Sequence, residues 1–256
     1  MITPESFATP HHRMGALALG LAGMMALTVA MASPSSASAH SQSQPGVVAA
    51  EVHPSATNTV SDSDYAAGWE ANPANGLASA SATFTIPTIN CSSGNGNQLY
   101  FGWGAAAADG NQIASTIQLS CSGTTPTYTY WLITPAGLVR EPGAAAGDVV
   151  VTSLFQTANR MEAEIHDLTN GEYWVAADAA PGTGVSPLLA FNEPYATAAI
   201  QPFTPVTFSS VQVNGDYLGF ENPTQLEVNR GGPTLVKSNA LSSYGSKFTV
   251  TFKQSS

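Results

Sequence analysis

The chain has 256 residues, enough for one sizeable core, but only 7 Lys and Arg against 17 Asp and Glu, for a formal charge of −10. So few cations exclude a nucleic-acid surface, which needs clustered Lys and Arg. They also limit self-repulsion once carboxylates protonate, so the composition suits an acidic medium.

The N-terminal 39 residues have the order of a secretory signal. His11, His12 and Arg13 precede an apolar run over residues 14–32, and Ala37, Ser38 and Ala39 provide the small residues of a cleavage site. The competing reading is a membrane anchor, since the run is about long enough to span a bilayer. Its Ala and Gly content and the Ala-Ser-Ala that follows favour cleavage, so a secreted, extracellular protein is expected, with no membrane contact after signal removal. Loss of Glu5 and Arg13 leaves 16 acids and 6 bases, and the charge stays at −10. Residues 40–64, "HSQSQPGVVAAEVHPSATNTVSDSD", are polar and without period, a flexible leader or short pro-segment. Residues 65–256 form the expected domain.

Along that domain strand patterns follow one another. "SATFTIP" alternates through Phe84 and Ile86, and "QLYFGWG" brings Leu99, Phe101 and Trp103 to one side. "DGNQIASTIQLSC" alternates as well, with Ile113, Ser115, Ile117, Leu119 and Cys121 on one face and Ala114, Thr116, Gln118 and Ser120 on the other. Gln118 is the one large polar side chain between Ile113 and Cys121. Further candidates are "TYTYWLI", "DVVVTSLF", "RMEAEIHDL", "EYWVAAD", "PVTFSSVQV", "TQLEV" and "KFTVTF", and Asn170-Gly171 predicts a two-residue hairpin turn. No helix-period stretch follows the signal. Many short strands without helices predict an all-β, antiparallel sandwich or barrel. Cys91 and Cys121, the only cysteines, are expected to pair in an exported chain.

Much catalytic machinery is excluded by what is missing. Beyond the leader the only histidine is His166, in "EIHDLTNG", where a surface position before a turn is the ordinary reading, so a Ser–His–Asp triad lacks its base. No ligand cluster suits zinc, and no glycine loop suits phosphate; no metal and no cofactor are expected. Carboxylates and amides remain. Glu162 and Glu164 share a strand face, either as a solvated pair or as the acid and nucleophile of a glycosidase. Glu193, in "LLAFNEPYATAA", follows an apolar run that would raise its pKa if it were buried.

At this point the residues resemble a family, the glutamic peptidases or eqolisins. "YAAGWEA" resembles the family's opening motif with Trp69 as its tryptophan, and "SATFTIPT" is similar to its Thr-Phe-Thr-Val-Pro-Thr strand. "FGWGAAAADGNQIASTIQLS" resembles the stretch that leads from Trp-Val-Gly-Asp-Gly to Ile-Leu-Gln-Thr-Gly, with Trp103, Asp109 and Gln118 on motif positions. "TYTYWLITP", with Trp131, falls on the aromatic strand, where Tyr130 stands in place of the usual acid. The resemblance implies a two-sheet, concanavalin-like sandwich of the eqolisin type and a secreted, acid-active endopeptidase. It implies catalysis by Gln118 and Glu193, with Trp69, Trp103, Asp109 and Trp131 in the substrate cleft or directly behind it. Glu193 takes its role as the only acid in the matching region, although Pro194 replaces the family's tryptophan. A polypeptide is the implied substrate and a monomer the expected state. The alternatives are a silent sandwich that binds carbohydrate or protein, and a glycosidase built on Glu162 and Glu164.

Overall fold

The computed structural model describes residues 60–63, 66–92, 98–106, 112–157, 159–178 and 199–254, and the backbone of 186–192. Among these residues the secondary structure is sixteen strands and two short 3-10 turns, with no α-helix. The strands are β1 (Val60–Ser63), β2 (Ala66–Glu70), β3 (Ser79–Thr85), β4 (Leu99–Ala106), β5 (Gln112–Ser122) and β6 (Thr125–Thr134). Then come β7 (Gly137–Glu141), β8 (Val149–Thr157), β9 (Arg160–Asp167), β10 (Tyr173–Asp178) and β11 (Ser186–Asn192). The last are β12 (Val206–Val213), β13 (Asp216–Tyr217), β14 (Thr224–Val228), β15 (Val236–Ser238) and β16 (Lys247–Phe252). No helix among the described residues is long and apolar enough to cross a membrane.

Strand pairing follows one path, β10-β9-β8-β3-β12-β16-β15-β14-β2-β11-β4-β5-β6-β7, with β1 beside β14 and β13 beside β12. The path folds over so that β8, β9 and β10 lie against β4, β5 and β6. This is a β-sandwich, held by the period-two patterns of its strands. In β9, Met161, Ala163, Ile165 and Asp167 are buried and the residues between them are not. In β5, Ile113, Ser115, Ile117 and Leu119 turn inward. Phe84, Phe208 and Phe248 stack in series at 4.9 and 5.0 Å between ring centres, and all three are buried. Each such ring contributes about 1.5–3 kcal/mol by leaving water.

Polar contacts cross the core as well. The Ser115 hydroxyl of β5 donates to the Glu164 carbonyl oxygen of β9. The Tyr130 hydroxyl of β6 donates to Asp167 Oδ2 at 2.5 Å, and its ring stacks on Trp174 of β10 at 4.0 Å. Burial, then the Asp167 acceptor, pushes the phenol pKa far above its ordinary value, so the group stays a donor at any working pH. The same Asp167 accepts the backbone N–H groups of Thr169 and Asn170 through Oδ1 and shapes the β9–β10 connection. That connection has five residues, 168–172, rather than the two expected from Asn170-Gly171; the Asp167 side chain organises the longer loop, and Gly171 takes its positive φ of 77°.

Two departures concern element boundaries. Val60–Ser63, expected in the leader, form β1 by parallel pairing with β14, from Val60 opposite Gln225 to Ser63 opposite Val228. Such a short polar strand has no alternation of its own and depends on its partner. The strands β2, β7, β11 and β15 likewise stand beyond the alternating segments that predicted the rest.

Gly102 of β4 has φ +138°, and a Cβ there would lie 2.3 Å from the Ser115 carbonyl oxygen. Gly102→Ala is therefore expected to destabilise the fold by about 2 kcal/mol or more in denaturant unfolding; an unchanged midpoint would refute the close approach. Tyr130→Phe is expected to cost about 2 kcal/mol by the same measurement, since Asp167 stays buried with one donor fewer. A loss below about 0.5 kcal/mol would show that the cross-core bond contributes little.

Candidate functional site

Register decides which residues can share a site. Gln118 lies between Tyr100 of β4 and Thr129 of β6, and Tyr100 in turn lies opposite Asn192 of β11. One row along, Thr116 lies between Gly102 and Trp131, and Trp131 opposite Arg140 of β7. Alternation puts these residues on the face of β4–β7 that looks away from the core.

The side chains on that face touch in sequence. Gln118 Nε2 donates to the Tyr100 hydroxyl at 2.7 Å, and that hydroxyl donates to Gln98 Oε1 at 2.8 Å. The Tyr100 ring meets Trp131 edge to face, 5.1 Å between centres. The Arg140 guanidinium lies over the Trp131 ring at 4.2 Å, a cation–π contact. Although Gln118 faces outward it is only 8% exposed. Tyr100 thus holds one amide N–H and leaves the second N–H and the carbonyl oxygen without a partner among the described residues. A fixed amide with a spare donor is suited to binding an oxygen that gains negative charge. Beside it the face is shallow: Gly104 would meet nothing within 4 Å if it carried a Cβ, and Ala114 is its cross-strand neighbour.

The structure separates the tryptophans expected together. Trp131 stands on the Gln118 face. Trp69 and Trp103, expected in the cleft or directly behind it, are both fully buried, and Trp103 shares a row with Ser115 and Leu132 on the core face. The cause is parity, because 103 is an odd step from 100 and the pleat turns it inward. Trp69 Nε1 donates to the Asn239 carbonyl at 3.2 Å, a structural tie. Asp109 and Glu193 lie outside the described residues. Within β11 the positions in register with the Gln118 face are Leu188, Ala190 and Asn192, opposite Gly104, Gly102 and Tyr100; none is an acid, and Glu193 is the next residue along. Cys91 and Cys121 are joined at a sequence separation of 30, and Cys121 lies three residues past Gln118 on β5. A loop of that length stabilises by about 3–4 kcal/mol in the chain-entropy account.

Tyr100 was missed from sequence, yet a signal existed. The alternation that turns Leu99, Phe101 and Trp103 inward must turn Gln98 and Tyr100 outward, next to the polar face of "IASTIQLS".

Glu162 and Glu164 sit on the outer face of the opposite layer, across the core from Gln118, so the two sets form separate surfaces. Glu162 pairs with Arg160 at 2.7 Å. Desolvation, opposed in part by a bond from Tyr173 and reinforced by Glu162, raises the Glu164 pKa above its ordinary 4.5. His166 is exposed beside Tyr173, ring centres 6.0 Å apart, and is no triad base.

No family model matches the sequence, and no curated protein does. Solved structures match the fold. Scytalido-glutamic peptidase, in complex with a peptide-based transition-state analogue, superposes with a TM-score of 0.57 at 14% identity, over 74% of this chain and 98% of that one. SCP-B, a member of the eqolisin family of peptidases in complex with the tripeptide Ala-Ile-His, superposes at 0.55 and 14%, over the same shares. The likeness is one of fold. At this identity, a shared sandwich says nothing by itself about which residues act.

The raised pKa of Glu164 has a consequence for stability. Folding favours its protonated form, so the native chain holds the extra proton between the unfolded and folded pKa values, and stability falls as pH rises through that window. Glu164→Gln should therefore melt higher than the wild type at neutral pH, with the gap closing toward about pH 3. Thermal scans across pH test this, and a gap independent of pH would contradict it.

Proposed function

We propose that the chain is an exported, acid-active endopeptidase in which Gln118 and Glu193 act on a shared water. The observation that carries this reading is the held amide: Gln118 is fixed through one N–H by Tyr100 at 2.7 Å, on an outward face floored by glycine and walled by Trp131. The peptide-analogue and tripeptide complexes of the two fold relatives support a polypeptide as the substrate class. Export is supported by the signal-like N-terminus and by the Cys91–Cys121 bond, which belongs to oxidising compartments.

In this reading Glu193 removes a proton from water as it attacks the scissile carbonyl. The free N–H of Gln118 stabilises the oxyanion, a contribution of about 3–4 kcal/mol to the barrier. Protonated Glu193 then donates to the leaving amine, which restores the carboxylate. The two residues are 75 positions apart, and Glu193 directly follows β11, whose last residue Asn192 stands in the row of Gln118.

One observation favours a second reading, a polypeptide-binding sandwich without hydrolysis. The three β11 positions in register with the Gln118 face carry no acid.

Digestion of a denatured protein at about pH 4, where an ordinary carboxylate base titrates, separates the two. The proposal expects cleavage that falls by a factor of about 10²–10³ in kcat on Gln118→Ala and is lost on Glu193→Gln. Cleavage that survives both substitutions would remove the pair from the mechanism. No cleavage by the wild type, with peptide binding retained, would establish the silent reading.

A further inference from the structure

Arg140 has no role in the reaction above, yet it ends the line of contacts that begins at Gln118. Its guanidinium covers the Trp131 ring at 4.2 Å, Trp131 packs edge-on to Tyr100 at 5.1 Å, and Tyr100 holds the Gln118 amide at 2.7 Å. Beyond the leader the chain has six bases. Among the described residues Arg160 is paired with Glu162 and Lys237 with Glu227, whereas no carboxylate lies within ion-pair distance of Arg140. The side chain is exposed, on β7, one end of the strand path.

We propose that Arg140 is a specificity-determining residue that selects polypeptides carrying a carboxylate close to the segment seated over Gln118. A guanidinium held over an aromatic ring keeps N–H donors that do not face the ring, and a carboxylate can accept from two of them in parallel. Trp131 immobilises the arginine in advance, so less side-chain freedom is lost when an anion arrives. The Arg140 cation and the free amide N–H of Gln118 on one outward face fit an acidic peptide better than a sugar or an apolar chain. In a molecule of charge −10, an acidic ligand approaches against the overall field, so local attraction to Arg140 has to supply the preference.

The inference rests on the peptide-acting reading of this face but not on hydrolysis, and binding separates the two. Acetylated, amidated alanine-rich decapeptides with a single Glu walked through each position, and their Gln counterparts, are titrated by calorimetry into the full exported chain at about pH 6, where the Glu side chain is ionised. The wild type should bind the best-placed Glu peptide about fivefold to tenfold more tightly than its Gln twin, with the ratio falling as salt is raised. Arg140→Gln should bring the ratio to about one, Arg140→Lys should retain part of it, and Arg140→Glu should invert it. A merely structural arginine would weaken both peptides alike. Equal affinity of the wild type for every Glu and Gln pair, or no binding of any peptide, overturns the proposal. A Glu preference in binding without cleavage of any peptide would sink the peptidase reading and leave this one standing.

Discussion

Two hydrogen bonds across the core, Ser115 to the Glu164 carbonyl and Tyr130 to Asp167, fix how β5 and β6 face β9. Because a strand alternates, this single choice determines the rest of the outward face. With Ser115 inward, Thr116 and Gln118 must be outward; with Tyr130 inward, Trp131 must be outward. A slip of one residue would bury Gln118 in the apolar core and expose Ile117 and Leu119. The cost of burying an unpaired amide and wetting those side chains holds the register. The site is therefore positioned from behind, by polar groups that never touch it.

On the outward face the sequence of contacts from Gln98 through Tyr100 and Gln118, and from Tyr100 through Trp131 to Arg140, works by immobilisation. Each side chain limits the freedom of the next, so the free N–H of the amide and the donors of the guanidinium are held in place before any ligand arrives. Gly102 makes this possible. Its missing side chain lets β4 approach β5 and keeps the floor low between Tyr100 and Gly104.

Much of the fold was legible in the amino-acid order because most strands bury one face, and burial leaves a period-two trace, clear in "SATFTIP", "RMEAEIHDL" and "KFTVTF". The strands that escaped had no such trace. "VSDS" in β1 is polar and depends on β14, "GLVRE" in β7 is exposed up to its last residue, and "SPLLAFN" in β11 is an apolar run without alternation. The outward position of Gln118 was legible from the alternation of its strand. Trp69 and Trp103, expected in the cleft or directly behind it, lie buried on the core face, because a motif records which residues are present but not which way the pleat turns them. The inward face of Trp103 was already implied by its alternation with Tyr100. Arg140 could not be found, since its meaning comes from a contact with Trp131 that only the β6–β7 pairing creates.

The central claim is that a polypeptide engages the β4–β7 face at the held amide. Two-dimensional NMR of the nitrogen-15-labelled chain, titrated with an acidic alanine-rich peptide, tests it most directly. The account predicts that the Gln118 side-chain amide, the Trp131 indole N–H and the Arg140 guanidinium shift together, while the indole of Trp174 in the opposite layer stays fixed. Shifts confined to β8, β9 and β10, with the Gln118 amide unmoved at saturation, would contradict it.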